Sequence, residues 1–324
     1  MFRRVLVGVD GRPGGRDAIA LAKQLAAPDA VITLGHIYGP DLVIGGASSL
    51  SVIAARGQAE ELLESEREWA SLDAQLVAFG ERRVGRGLHV LAERLRADLL
   101  VVGSSRHGLL DRVLMGDDTR AALSGAPCAI AIAARGSRHE LHELETLGVG
   151  YDGSPESDLA LAAARELAAQ HGATIWALQV VSLEDVRDET PIPADWPEGT
   201  SQLLRQTIEQ LRELGDDVQG DAVYGGPREE LVRFGDSLDL LVIGSRGYGP
   251  LGRLFHGSVS DYLSRHAPCP LLILPRGSGR PRRTGVAKRA DEPVTTGARW
   301  QPAAGERCDV QQRSGRRGWA HRRA

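Results

Sequence analysis

Four residues near the end of the chain have the types and spacing to hold an anion. They are Gly244, Gly247, Gly257 and Ser258, in "GSRGYGPLGRLFHGS", directly after the apolar run "LDLLVIG". Glycines at the carboxyl end of a strand let backbone N–H groups approach a ligand closely. Ser258 stands where it could cap the helix "SVSDYLSRHA", whose free N–H groups and positive dipole end attract negative charge. Arg246 adds a cation in the same loop. Phosphate is the best-fitting guest. A second feature, "GYDGSPES", sets Asp152 before a Gly-Ser turn and a helix start. Its carboxylate could accept hydrogen bonds from a ribose hydroxyl or an exocyclic amine, or could merely hold the turn, as aspartate commonly does. The glycine loop favours the first role. Open α/β sheets bind ligands beyond strand carboxyl ends where the strand order reverses, and both features would meet there.

The elements that must position these residues follow from a repeat. "RVLVGVDGRPGGRDAIALA" (Arg4–Ala22) matches "TLGVGYDGSPESDLALAAA" (Thr146–Ala164), and "RADLLVVGSSRHG" (Arg96–Gly108) matches "SLDLLVIGSRGYG" (Ser237–Gly249). "ITLGHIY" pairs with "WALQVVS", and "GAPCAIAIAARG" with "HAPCPLLILPRG", in the same order and at an offset near 141. Two copies of one domain are expected, at residues 1–136 and 145–277, each with its own core; the period is too long for a solenoid. Within a copy, short apolar runs alternate with longer amphipathic ones. In the second copy the pattern predicts strands at Leu147–Tyr151, Thr174–Val181, Val218–Tyr224, Leu238–Ile243 and Leu271–Leu274. Helices are predicted at Glu156–His171, Thr200–Leu214, Arg228–Phe234 and Val259–Arg265. Strand–helix alternation with strands apolar on both faces predicts an open parallel α/β sheet, doubly wound, in each copy.

The first copy departs from the pattern. Gly103 and Gly116 align with Gly244 and Gly257, but Arg106 replaces the second glycine and Asp117 replaces the serine. Two like unit charges 4 Å apart at an effective dielectric near 20 repel by about 4 kcal/mol before screening. Asp117 and Asp118 also suit the first turn of the following helix. Arg106 could pair with Asp117 or reach a phosphate itself. A first copy that does not bind is the expectation.

Composition narrows the classes. The chain has 324 residues and a formal charge of −4, divided unevenly. From residue 276 onward there are 13 Lys and Arg against 4 Asp and Glu; before it, 26 against 39. An acidic body argues against a specific nucleic-acid surface, which needs clustered cations. Residues 278–324, rich in Arg, Gly and Pro without apolar periodicity, are expected to be disordered. No apolar run reaches the ~18 residues of a membrane span, and "MFRRVLVGVD" enters a strand pattern directly, so a cytoplasmic location is expected. Cys128 and Cys269 sit in matching "APC" contexts and read as buried residues at strand edges. No metal-spaced carboxylate pair, phosphate-loop lysine motif or repeated Ser/His/Asp order supports a catalytic or metal site. His36, mid-strand, reads as a polar core residue. The loop of adenylylating enzymes needs a glycine pair that "DGSPES" lacks.

The spacing G-x2-G-x9-G-[ST], the strand-end aspartate and the "APCP-LLIL" last strand together resemble the universal stress protein family, in its tandem-domain form, over roughly Arg4–Gly277. The resemblance implies five parallel strands per domain in the order 3-2-1-4-5 and an ATP site, with Mg²⁺ allowed beside the nucleotide. It implies that Asp152, with Gly153 and Ser154 of its turn, and Val180 meet the adenosine. Gly244, Arg246, Gly247, Gly257, Ser258 and Val259 would meet the ribose and phosphates. The corresponding degenerate set is Asp10, Ile37, Gly103, Arg106, Gly116 and Asp117. Family members pair through the last strand, and a tandem chain can form that pair internally or as a homodimer. The implied role is a nucleotide-binding stress-response or regulatory module acting on an unidentified protein partner. A slow ATPase or adenylyl-transfer enzyme is the alternative, and a nucleotide-free scaffold a third reading.

Overall fold

The computed structural model describes residues 1–39, 49–104, 125–136, 143–182, 196–245 and 258–275. Arg106, Gly116, Asp117, Arg246, Gly247, Gly257 and the tail expected to be disordered lie outside the described residues.

The first half runs β1 (Phe2–Gly8), α1 (Pro13–Leu25), β2 (Ala26–Tyr38), α2 (Ser49–Ala70), β3 (Gln75–Gly80), α3 (Val84–Leu95), β4 (Leu99–Gly103) and β5 (Ala129–Ala133). The second runs β6 (Thr146–Gly150), α4 (Pro155–His171), β7 (Thr174–Val181), α5 (Trp196–Arg212), β8 (Val218–Tyr224), α6 (Pro227–Gly235), β9 (Leu240–Gly244), α7 (Ser258–His266) and β10 (Leu271–Leu274). The repeat and the alternation are therefore real structure. Second-half strands at Thr174–Val181, Val218–Tyr224 and Leu271–Leu274 fall where the pattern predicts them, and the other boundaries differ by a few residues, as helix and strand ends do.

Among the described residues, the ten strands lie in one sheet of order β3-β2-β1-β4-β5-β10-β9-β6-β7-β8. Each half thus has the order 3-2-1-4-5, with every internal pairing parallel. The halves join through β5 and β10, which pair antiparallel with Leu271 opposite Ile132, Leu272 opposite Ala131 and Ile273 opposite Ile130. Alternating residues point to opposite faces, so Ala129, Ala131 and Ala133 share a face with Leu272 and Leu274 while Ile130 and Ile132 share the other with Leu271 and Ile273. The large leucine meets the small alanine on one face, and aliphatic side chains of similar size meet on the other. Joining the two last strands also removes two open edges that could recruit other chains.

The junction corrects one expectation. The halves do not keep separate cores. One hydrophobic layer, under α1, α2, α4 and α5, contains Leu21 and Leu25 from the first half and Leu161 and Leu167 from the second. The layer on the other face, under α3, α6 and α7, likewise joins Leu88 and Leu91 to Leu231, Phe234 and Leu263. Because β5 and β10 hydrogen-bond edge to edge, both faces of the sheet run on across the boundary.

Helix starts differ between the halves for local reasons. Ser154 caps α4 by accepting the Ser157 N–H at 3.2 Å, Pro155 fills the first turn, and Glu156 and Asp158 complement the dipole. Gly172, at φ +70°, closes the other end in the left-handed conformation. Helix α1 has Pro13 in its first turn but no side-chain cap and no acid there.

A repeated aspartate ties neighbouring strands together in each half of the sheet. Asp98, just before β4, accepts the N–H groups of Arg3 and Arg4, each at 3.0 Å, and Asp239, just before β9, accepts those of Glu145 and Thr146 at 2.9 and 2.8 Å. Each carboxylate thus holds the start of the neighbouring strand. Hydrogen bonds to a charged group contribute about 1.5–3 kcal/mol. Asp239→Ala should therefore lower unfolding stability by about 2 kcal/mol, with Asp239→Asn recovering part of the loss; an unchanged denaturation midpoint for the alanine variant would contradict this role.

Candidate functional site

Strand β6 sits between β7 and β9, so the chain winds outward on one side of it and returns to the other. This reversal sets the carboxyl ends of β6 and β9 side by side, with Gly150 opposite Ile243. Asp152 follows the end of β6 and Gly244 ends β9. Gly153, at φ +73°, turns the chain so that the Ser154 N–H donates to Asp152 Oδ1 at 3.0 Å. The carboxylate is thereby fixed in direction while remaining exposed. Beside it, Tyr151 donates its hydroxyl to Asp158 at 2.8 Å; burial, followed by that bond to a carboxylate, pushes the phenol up to about 12.

Val180 lies one strand away on β7, half-buried against the α3/α6/α7 layer. It is two residues beyond Leu178, whose carbonyl accepts the Tyr151 N–H at 3.0 Å. Helix α7 leads into β10 by a short turn and therefore runs back along the sheet, with its N-terminus at the carboxyl edge. Ser258, expected to cap α7, is its first helical residue and is exposed. Helix-start N–H groups have no partner within the helix, so this end remains suited to an anion. Val259 is half-buried on the same layer as Val180. The described members of the expected set (Asp152, Gly153, Ser154, Val180, Gly244, Ser258 and Val259) all lie at the carboxyl edge of the second half.

Gly244 has a packing reason of its own. A Cβ there would stand 2.5 Å from the carbonyl carbon of Glu156 and 2.7 Å from its Cβ. The first turn of α4 thus rests directly on the end of β9, so the Asp152 turn and the glycine loop start from touching pieces of backbone.

In the first half Asp10, Ile37 and Gly103 occupy the corresponding edge, with Ile37 buried. Gly11, at φ +72°, repeats the turn, and the Arg12 N–H donates to Asp10 Oδ1 at 3.1 Å. One difference escaped the sequence reading. Arg12, aligned with Ser154, returns its guanidinium Nη1 to Asp10 Oδ2 at 3.4 Å. The aligned repeat carried that signal in its Arg-for-Ser exchange. His36 is half-buried and donates Nδ1–H to the Val9 carbonyl at 2.8 Å, which accounts for it as a structural group. Among the described residues no group of three or more His, Cys, Asp or Glu is arranged to hold a metal, and no helix is long and apolar enough to cross a membrane.

Cys128 and Cys269 are buried, as their contexts predict, and burial pushes both thiols from 9.0 up to about 12. At pH 8 their thiolate fractions are roughly a thousandfold below that of a free thiol, and the thiolate is the nucleophile. In a Cys308→Ser background, Ellman's reagent should find no thiol within minutes in the native protein and two after denaturation. Since the folded pKa lies above the unfolded one, the thiols' contribution to stability is lost as pH rises from about 9 towards 12. Rapid native labelling of both would contradict the burial.

Fold and site together define a tandem α/β protein with a strand reversal in each half. A family model described as "Universal stress protein family" matches residues 1–133 and again 143–275. A universal stress protein of Mycobacterium tuberculosis is 30% identical over 207 residues, covering 60% of this chain and 70% of the relative. One from Mycolicibacterium smegmatis is 28% identical over 286 residues, covering 83% of this chain and 96% of the other. The crystal structure of a universal stress protein from Archaeoglobus fulgidus shares the fold at a TM-score of 0.63 and 18% identity, covering 85% of this chain and 98% of that one. The chain belongs to the universal stress protein family, with two tandem copies of its domain.

Proposed function

We propose that the second half binds an adenine nucleotide, ATP with or without Mg²⁺, and that the protein acts as a nucleotide-responsive regulatory module in the cytoplasm. The observation that supports this best is the meeting of two features at one reversal point. Asp152, held exposed at the end of β6, adjoins the Gly244 end of β9, where the Gly244-x2-Gly247-x9-Gly257-Ser258 motif begins. In this reading Asp152, Gly153, Ser154 and Val180 face the adenosine, and Gly244, Arg246, Gly247, Gly257, Ser258 and Val259 the ribose and phosphates. The first half, with Arg106 and Asp117 in place of glycine and serine, binds far more weakly.

Titration calorimetry with ATP tests the proposal: one equivalent should bind per chain. Absence of binding at millimolar ATP overturns nucleotide binding, and two equivalents of equal affinity overturn the assignment to the second half. The same protein incubated with excess Mg²⁺ should leave the nucleotide intact over many binding lifetimes; steady turnover would make it an ATPase or an adenylyl-transfer enzyme instead.

A further inference from the structure

We propose that the outer edge of β3 is an interface for a second copy of this chain, joined by antiparallel strand pairing about a two-fold axis. Strands β5 and β10 cover each other, so the edges left in the sheet are β3 and β8. Among the described residues each of these pairs on one side only, β3 with β2 and β8 with β7. The two edges are not alike.

In a β ladder alternate residues direct both backbone groups to the same neighbour. The Glu81 N–H donates to the Tyr38 carbonyl at 3.0 Å, so Val77 and Phe79 turn their backbone groups to β2, and Leu76, Ala78 and Gly80 turn theirs outward. In the second half the Gly225 N–H donates to the Val181 carbonyl at 3.1 Å, which turns Gly220, Ala222 and Tyr224 outward in the same way. There the central N–H is closed off, because Asp221 Oδ1 accepts the Ala222 N–H at 2.8 Å. The corresponding residues of the first half are Val77 and Ala78, and a valine side chain accepts nothing. Charged residues on an edge strand keep it from recruiting other strands. Strand β8, "VQGDAVY", carries such a charge, whereas β3, "QLVAFG", carries none.

Strand β3 is also complementary to itself. Residues directly opposed in an antiparallel pair must both turn their backbone groups to the partner or both turn them away. Pairing centred on Ala78 meets this rule: Ala78 lies against Ala78 of the second copy and exchanges both bonds with it, and Leu76 does so with Gly80. Val77 then stands beside Phe79 of the second copy, both on the α3 side of the sheet. The same register brings the exposed Asp73 of one copy to the exposed Arg83 of the other, with Arg82 next to it. By symmetry this match of opposite charges closes both ends of the strand pair. The arrangement repeats between chains what β5 and β10 do within one, an antiparallel junction of two edges.

A single strand pair buries less area than a standard interface, so the association is weak, with a Kd of about 10–100 µM. Sedimentation of the full chain under reducing conditions, from about 5 to about 500 µM, should show monomer passing to dimer. Over that range exchange of the Ala78 amide should slow by about threefold or more, while the outward Gly220 amide of β8 keeps its rate. Ala78→Pro removes the central outward N–H and leaves the bonds to β2 in place, as proline on an edge strand permits. Val77→Asp gives β3 the side chain that closes β8. Each should raise the dimer Kd by about tenfold or more, since both copies lose a bond. A wild-type chain still monomeric at the highest concentration overturns the proposal. A dimer whose Ala78 amide exchanges at an unchanged rate overturns it too, by placing the contact elsewhere. A dimer equally stable in Ala78→Pro and Val77→Asp does the same. The exchange measurement uses the unaltered chain, so it decides the matter even where a variant fails to fold.

Discussion

Ser258→Asp should weaken ATP binding by at least about 2 kcal/mol, roughly a thirtyfold rise in Kd. Ser258 opens α7, where the helix start offers unpaired N–H groups and the positive dipole end to an anion. The substitution replaces a neutral hydroxyl by a carboxylate at that position, giving the second half the residue type that the first half carries at the aligned position 117. It removes one hydrogen bond to a charged ligand and adds a like charge, and both changes oppose the triphosphate. The substitution is not expected to harm the helix, because an acid in the first turn complements the dipole, and Ser258 is exposed. Adenosine affinity should fall much less, since the block is aimed at the phosphates. The reciprocal change, Arg106→Gly with Asp117→Ser, should raise ATP stoichiometry above one. Normal ATP binding by Ser258→Asp would overturn the phosphate assignment. Equal losses for ATP and adenosine would overturn it too, by locating the effect in the domain and not at the phosphates.

Gly103→Ala should be among the most damaging single-methyl additions in the chain. Gly103 ends β4 where α1 begins to cross it, and a Cβ there would lie 2.9 Å from the Gly14 Cα and inside contact distance of the Gly14 carbonyl. The crossing is glycine against glycine: a Cβ on Gly14 would stand 2.7 Å from the Ser104 carbonyl oxygen. The obstacle is backbone, so no side chain can swing aside. Helix α1 cannot lift without withdrawing Ala18, Leu21 and Leu25, all fully buried. Overpacking of this kind costs about 1–3 kcal/mol or more. A loss of at least about 2 kcal/mol is expected, a fall in Tm of roughly 4–8 °C for a domain of this size. A melt within 1 °C of wild type would show that the helix start yields easily and that the close approach is not a constraint. Gly244→Ala should lose stability for the same reason, through Glu156, and nucleotide affinity with it.

By itself the sequence determined the repeat and the alternation of strands and helices. Those features are local: a buried strand is a short apolar run such as "LDLLVIG", and a helix start is a serine or proline before a periodic segment. The contrast between Ser258 and Asp117 was legible for the same reason, since each is read against its own neighbours. The tertiary structure decided what depends on residues far apart in the chain. Nothing local in "CAIAIA" or "CPLLIL" says that Leu272 will lie across from Ala131, so the fusion of two cores into one across β5 and β10 could not be read from either copy alone. The same holds for Asp98 and Asp239, which look like ordinary polar residues before a strand until the neighbouring strand starts are seen to donate to them. It holds for Gly103 and Gly244, whose missing Cβ atoms are needed by a helix start more than 80 residues earlier in the chain. Arg12 lies between these cases. Its identity was visible in the aligned repeat, but the return of its guanidinium to Asp10 depends on a turn whose φ at Gly11 is set by backbone geometry, and only coordinates show it.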